Sequence, residues 1–168
     1  VRVLLTAAGA EVERHERLAE MRERTLSLLG EGVFGEGAET TLESVVARLL
    51  AEGGWTLATA ESCTGGLVAE RMTRVAGVSA VFVGGVVVYS NELKSALLGV
   101  APETLLSAGA VSEEVARAMA TGVCARLGSA IGVAVTGIAG PAGGSTEKPV
   151  GTVHLAVAGP GELPVEHR

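Results

Sequence analysis

Strand-like and helix-like spacings of apolar residues alternate along this chain of 168 residues. Val1 to Thr6 carries the short apolar run of a strand. Glu11 to Leu29 reads as a charged helix, with Val12, Leu18, Met21 and Leu28 toward one side. Gly32 to Gly37, with Phe34 in it, reads as a second short strand. A β-α-β piece this small needs a partner surface to be stable. It also opens abruptly on a strand, so residues 1–38 are expected to belong to a larger unit.

From Thr40 the pattern changes. Thr41 is placed to cap a helix through Leu50, with Glu43 in its first turn and Gly53-Gly54 to end it. Trp55 to Ala60 reads as a buried strand, followed by the turn Glu61-Ser62-Cys63-Thr64-Gly65-Gly66 and a helix over Leu67 to Arg74. Val81 to Val88 is nearly all apolar, the pattern of a strand covered on both faces. Asn91 is expected to cap a short helix carrying Lys94 and Leu97. Ser112 is expected to cap a longer one, with Glu113 and Glu114 complementing its dipole and Gly128 past its end. Ile131 to Val135 and Thr152 to Val157 read as strands separated by a long Gly/Pro loop. This order predicts an α/β fold with helices on both sides of a sheet.

Composition changes the picture in three ways. The chain is 48% hydrophobic but only 2% aromatic, so its core must be aliphatic. A net charge of −6 argues against a nucleic-acid-binding face, which needs clustered Lys and Arg. No apolar run reaches the roughly 18 residues of a membrane span. No signal peptide is recognisable, and two cysteines are too few for a disulfide framework, so a cytoplasmic protein is expected. The spacing of His15, His154 and His167 matches no metal site.

Of the 13 Lys and Arg residues, only Lys94 and Lys148 are lysines. Lysine can lose its proton near neutral pH where arginine cannot, so a lysine kept in such a background is a candidate base. The plainer alternative is an ordinary surface lysine. Three segments could carry the matching chemistry. In the first, Ser62 or Thr64 could hydrogen-bond a substrate, and the amides of Gly65 and Gly66 could hold an oxyanion or phosphate. The alternative is a helix cap with glycines for close packing, and Cys63 reads as a small buried thiol.

The second segment runs from Gly77-Val78-Ser79 to Lys94. A neutral Lys94 could deprotonate Ser79, with Tyr89 orienting the amine or a reacting carbonyl in a dry, Val-rich pocket. Tyr89 could equally be a core ring. A straight strand of about eight residues would hold Ser79 and Lys94 roughly 26 Å apart. A bend at Gly84-Gly85, a helix folding back after Tyr89, or a site shared by two subunits would each resolve that. The third segment is the loop from Thr136 to Thr152, where Gly137, Gly140, Gly143 and Gly144 offer amides and Lys148 offers charge to an anion. Glu147 is expected to pair with Lys148. Ser145-Thr146-Glu147-Lys148 matches Ser-x-x-Lys, but Gly143-Gly144 and Pro149 oppose the helical turn that motif needs.

Together these segments resemble the CinA C-terminal domain family. The resemblance rests on A-E-S-C-T-G-G (Ala60 to Gly66), G-G-V-V-V-Y-S-N-E-L-K (Gly84 to Lys94), G-A-V-S (Gly109 to Ser112) and T-G-I-A-G-P-A-G-G-S-T-E-K-P-V-G-T-V (Thr136 to Val153), and it covers about residue 39 to 168. It implies a three-layer α/β/α sandwich around a mixed sheet, preceded here by the small β-α-β fragment. Members of the family include nicotinamide-nucleotide amidohydrolases, which convert nicotinamide mononucleotide to nicotinic acid mononucleotide and ammonia. By resemblance, Ser79 matches the nucleophile, Lys94 its base, and Ser62 and Tyr89 supporting positions. Thr64, Gly65, Gly66, Asn91, Thr136, Gly137, Gly140, Gly143, Gly144 and Lys148 become candidate substrate contacts. The family works without metal or cofactor and commonly dimerises. Residues 1–38 resemble the tail of the middle domain that precedes this one in full-length relatives.

Two departures stand out. Val78 replaces the first serine of the family's usual Gly-Ser-Ser, and the chain stops at Arg168, before an expected Gly-Asp-Arg segment and last helix. A non-catalytic nucleotide-binding or assembly module is the competing expectation. The family's link to competence raises a nucleic-acid role, against which the acidic charge argues.

Overall fold

The computed structural model describes residues 2–161 and 165–167 and divides the chain into two compact units, 1–45 and 46–168. In the first, α1 (Glu11–Leu29) forms as expected, with Glu11 and Glu13 at its positive end and Gly30 in a positive-φ conformation after its last residue. Arg22 binds both oxygens of Glu36, at 2.7 and 2.6 Å. The two strands expected around this helix do not form: residues 2–10 and 33–41 contain no strand. A strand needs a neighbour for its backbone groups and cover for its apolar face. Here Leu4 is 82% exposed and Phe34 45% exposed, so the expected β-α-β fragment reduces to its helix. Thr41 caps α2 (Leu42–Gly53), its Oγ1 accepting from Ser44 N–H at 3.2 Å while Ser44 Oγ accepts in return from Thr41 N–H at 3.1 Å.

The second unit is built on a mixed five-stranded sheet. Its strands are β1 (Leu57–Glu61), β2 (Phe82–Val87), β3 (Ile131–Gly137), β4 (Val153–Ala158) and β5 (Val165–His167), in spatial order β2-β1-β3-β4-β5. β2, β1 and β3 are parallel, and β4 and β5 continue antiparallel. Between them lie α3 (Leu67–Thr73), α4 (Asn91–Leu98), α5 (Pro102–Ala108) and α6 (Glu113–Leu127).

Alternation along the strands splits the core in two. Ala58, Ala60, Ala134 and Ala156 pack with Val115, Met119 and Val123 of α6 and Leu98 of α4. Leu57 packs in a second cluster with Ala47 and Leu50 of α2, Met72 of α3, and Val81. Small strand residues let α6 lie close. A Cβ at Gly132 would collide with the carbonyl oxygen of Ala120, so no larger residue fits there without moving the helix. Helices therefore cover both faces of the sheet, as the alternating pattern predicted.

Three local expectations change. β2 is an outer strand, with Val83 and Val87 48% and 46% exposed, and is not covered on both faces. An apolar run reports average hydrophobicity and does not say which strand ends the sheet. The cap of α4 is Ser90, whose Oγ accepts from Leu93 N–H at 3.2 Å, and Asn91 is the first helical residue. Trp55 lies ahead of β1 and is 45% exposed. Neither α5, which starts on Pro102, nor β5 was anticipated.

Candidate active site

Because β1, β2 and β3 are parallel, their carboxyl ends open on one edge of the sheet, where α/β proteins bind ligands. Register aligns Glu61 with Val87 on one side and Val135 on the other. The ladders run one residue further: Ser62 N–H donates to Val135 O at 3.0 Å, and Val88 N–H to Glu61 O at 2.8 Å. Ser62, Val88 and Tyr89 are thereby brought together.

Lys94 completes this cluster. Ser90 starts α4 and Gly99, at φ 69°, ends it, leaving Lys94 turned inward at 1% exposure. Its Nζ donates to Val88 O at 2.9 Å, to Ser62 Oγ at 3.2 Å and to Tyr89 O at 3.3 Å. All three acceptors are uncharged. Burial accordingly pushes the amine below the ordinary lysine range, against weaker upward pulls from Cys63 and Glu92. Ser62 itself is 7% exposed. Next to it, burial pushes the Cys63 thiol up, while the backbone amides of Cys63 and Thr64 pull it down.

The turn after β1 is organised by a residue to which its pattern gave no role. Glu61, 1% exposed, turns its carboxylate onto the start of α3 and accepts from Gly66 N–H at 3.1 Å, Val68 N–H at 3.0 Å and Ala69 N–H at 2.8 Å. Gly65 N–H donates to Ser62 O at 3.1 Å. The amides of Gly65 and Gly66, which the glycines had suggested for an anion, are thus already engaged. Thr64 Oγ1 is buried with no hydrogen-bond partner among the described residues. A charged residue closing an otherwise uncharged, buried strand is the one visible signal for Glu61.

Ser79 lies elsewhere. It is exposed, in a single 3-10 turn (Val78–Ala80) before β2. β2 stays paired with β1 from Gly84 to Val87, so the glycines do not fold it back. Six residues at about 3.3 Å each put roughly 20 Å between its ends, and within one chain Lys94 meets Ser62 and not Ser79. Tyr89 is 71% exposed, so its ring occupies no dry pocket and its contact with Lys94 is through the backbone. Asn91 is exposed on the first turn of α4.

The glycine-rich loop closes on the neighbouring turn. Ile138 N–H donates to Thr152 O and Gly151 N–H to Ile138 O, clasping its base at 2.9 and 2.8 Å. Ser145 N–H donates to Lys148 O and Lys148 N–H to Ser145 Oγ, a tight turn with no helix. Lys148 Nζ donates to Ala108 O and Val111 O, both at 2.7 Å, so its charge grips the α5–α6 connection and does not face an open anion site. Thr136, 1% exposed, donates to Ala110 O at 2.8 Å, and Ser112 Oγ donates to Gly109 O at 3.0 Å. Four successive carbonyls of that connection are held by side chains. Gly140 and Gly144 press against Val150, Gly137 ends β3, and Gly143 is exposed.

Among the described residues, no helix is long and apolar enough to cross a membrane. A family model described as CinA C-terminal domain matches residues 39–168. A CinA-like protein of Anaeromyxobacter sp. (strain K) is 59% identical over 144 residues, covering 86% of this chain. The chain spans only 35% of that relative's length. Among solved structures, the competence/damage inducible protein CihA from Agrobacterium tumefaciens is 45% identical with a TM-score of 0.68, over 79% of this chain and 82% of that one. A competence-damaged protein (CinA) superfamily protein from Escherichia coli is 32% identical with a TM-score of 0.73, over 83% and 84%. With its mixed sheet, its two helical layers and this match over residues 39–168, the chain belongs to the CinA C-terminal domain family.

Proposed function

We propose that this chain carries an amidohydrolase site that converts nicotinamide mononucleotide to nicotinic acid mononucleotide and ammonia. The observation that supports this reading best is the buried Lys94 amine, held by uncharged oxygens 3.2 Å from the Ser62 hydroxyl. A neutral amine there can take the proton of a serine hydroxyl as its oxygen attacks the carboxamide carbon. The proton then passes to the amide nitrogen, ammonia leaves, and water releases the acid from the acyl-serine. In one chain the hydroxyl within reach is that of Ser62. The resemblance casts Ser79 as the attacking group, and a homodimer gives that role a route. β2 is an outer strand, and antiparallel contact between two such edges would bring Ser79 of a second copy toward Lys94. Residues 1–38 are proposed as the end of the CinA middle domain.

Ammonia release from nicotinamide mononucleotide is expected to fall by about 10²–10⁴-fold in both Lys94→Arg and Ser62→Ala, the range typical of a lost general base or its partner. Substantial turnover in Lys94→Arg would sink the mechanism, since arginine keeps the charge and removes proton transfer. Ser79→Ala then separates the two arrangements: retained turnover places attack on Ser62, whereas lost turnover that returns on mixing with Lys94→Arg chains means a shared site.

A further inference from the structure

We propose that Glu61 is a positioning residue: its carboxylate, clasped by three amides at the start of α3, holds the Ser62 hydroxyl against the Lys94 amine. The inference rests on the serine–lysine reading above, which gives that contact its purpose.

A buried carboxylate is costly unless it is fully hydrogen-bonded, and Glu61 meets that cost with neutral N–H groups alone. Starting a helix does not require this. Ser90 and Ser112 start α4 and α6 with one hydroxyl each, reaching three residues along the chain. Glu61 reaches five, seven and eight residues along, and so closes the whole segment from Ser62 to Ala69 into a ring. Ser62, Cys63 and Thr64 lie inside it.

The other end of the same residue fixes Lys94's remaining acceptors. The Glu61 carbonyl accepts from Val88 N–H at 2.8 Å, and Val88 O holds Lys94 Nζ at 2.9 Å. Ser62 is joined to Glu61 by the peptide bond. One residue thus sets the spacing between the hydroxyl and the carbonyls that share the amine. The Ser62–Lys94 contact, at 3.2 Å, lies at the long end of useful hydrogen bonds, so a small rotation of the turn breaks it.

Glu61→Gln keeps the shape and sets an NH₂ group against N–H donors, while Glu61→Asp keeps the charge on a shorter arm. Two readouts apply: ammonia release, and the ¹³Cε signal of Lys94, which is easily assigned because Lys148 is the only other lysine. Of the titrating groups that bear on Lys94, Glu92 is untouched by either change, while Cys63 keeps its neighbouring carboxylate in Glu61→Asp and loses that upward pull in Glu61→Gln. Glu61→Gln is expected to lower kcat at least about tenfold with KM within about threefold, as misplacing a reacting group does. Glu61→Asp should show a smaller loss in the same direction. In both, the Lys94 titration midpoint should move up toward that of an ordinary lysine as the turn loosens. Folded Glu61→Gln with kcat within about twofold of the parent, or with an unmoved Lys94 midpoint, overturns the proposal. Should Glu61→Gln not fold, Glu61→Asp decides by the same two measurements. A parent chain that releases no ammonia would defeat the serine–lysine reading, and the Lys94 midpoint would still test Glu61.

Discussion

Lys94 is 1% exposed with no carboxylate among the described residues bound to its amine, and that burial makes folding favour its uncharged form. Its folded pKa lies below the ordinary value of 10.5. Between those two values the unfolded chain binds more protons than the folded one, and stability therefore rises with pH. The contribution is complete above the unfolded value and is lost as pH falls through the lowered one. Urea unfolding of the parent and of Lys94→Met should accordingly diverge in the parent's favour as pH rises toward the ordinary lysine value of 10.5. A difference that stays constant with pH would mean that burial does not bias this amine. The side chains in this cluster were unequally legible. A scarce lysine and a serine at a strand-to-helix turn are visible in the chain itself. Glu61 is not legible in the chain because its role depends on which face of β1 it takes, and that is fixed only by packing. Tyr89 attracted notice for a ring that stands 71% exposed, whereas its carbonyl makes the contact.

α4 has eight residues, too few to be stable alone, and it depends on Ser90 at one end and Gly99 at the other. Ser90→Ala should cost about 1 kcal/mol, the usual worth of such a cap. Because Lys94 sits in the first turns of this helix, kcat should fall together with the urea midpoint. A lowered midpoint with unchanged kcat would show that the amine is placed independently of the cap. Elements with strong local punctuation were readable: Thr41 before α2, and Ser112 and Gly128 around α6. Where two cap-forming residues adjoin, as Ser90 and Asn91 do, composition cannot choose between them. The outer position of β2 was invisible for another reason. Strand order is settled by which helices cover which faces, and Val83 would look the same in the middle of the sheet.

Every buried hydrophobic residue among those described lies between Ala47 and Ala156. Both apolar clusters thus belong to the unit that starts at Val46, while α1 buries no residue. Deleting residues 1–38 should therefore leave a single cooperative transition by circular dichroism. Its urea dependence should change little, because that dependence follows the surface exposed on unfolding. Loss of the transition would show that the first unit is needed for the second to fold. The ion pairs of this second unit, such as Arg48–Glu52 and Arg117–Glu113, are half-exposed pairs one helical turn apart and add little.

The scarcity of lysine has one more consequence. Lys148 fastens the glycine-rich loop to the α5–α6 connection, and Lys94 is shut beneath α4. The Lys94 amine cannot meet an acylating reagent until α4 lifts away, whereas the part-buried Lys148 amine must first release the two carbonyls it holds. The rates at which the two become labelled, followed by mass spectrometry, thus form a pair of internal clocks. One times the release of the loop and the other the opening of α4.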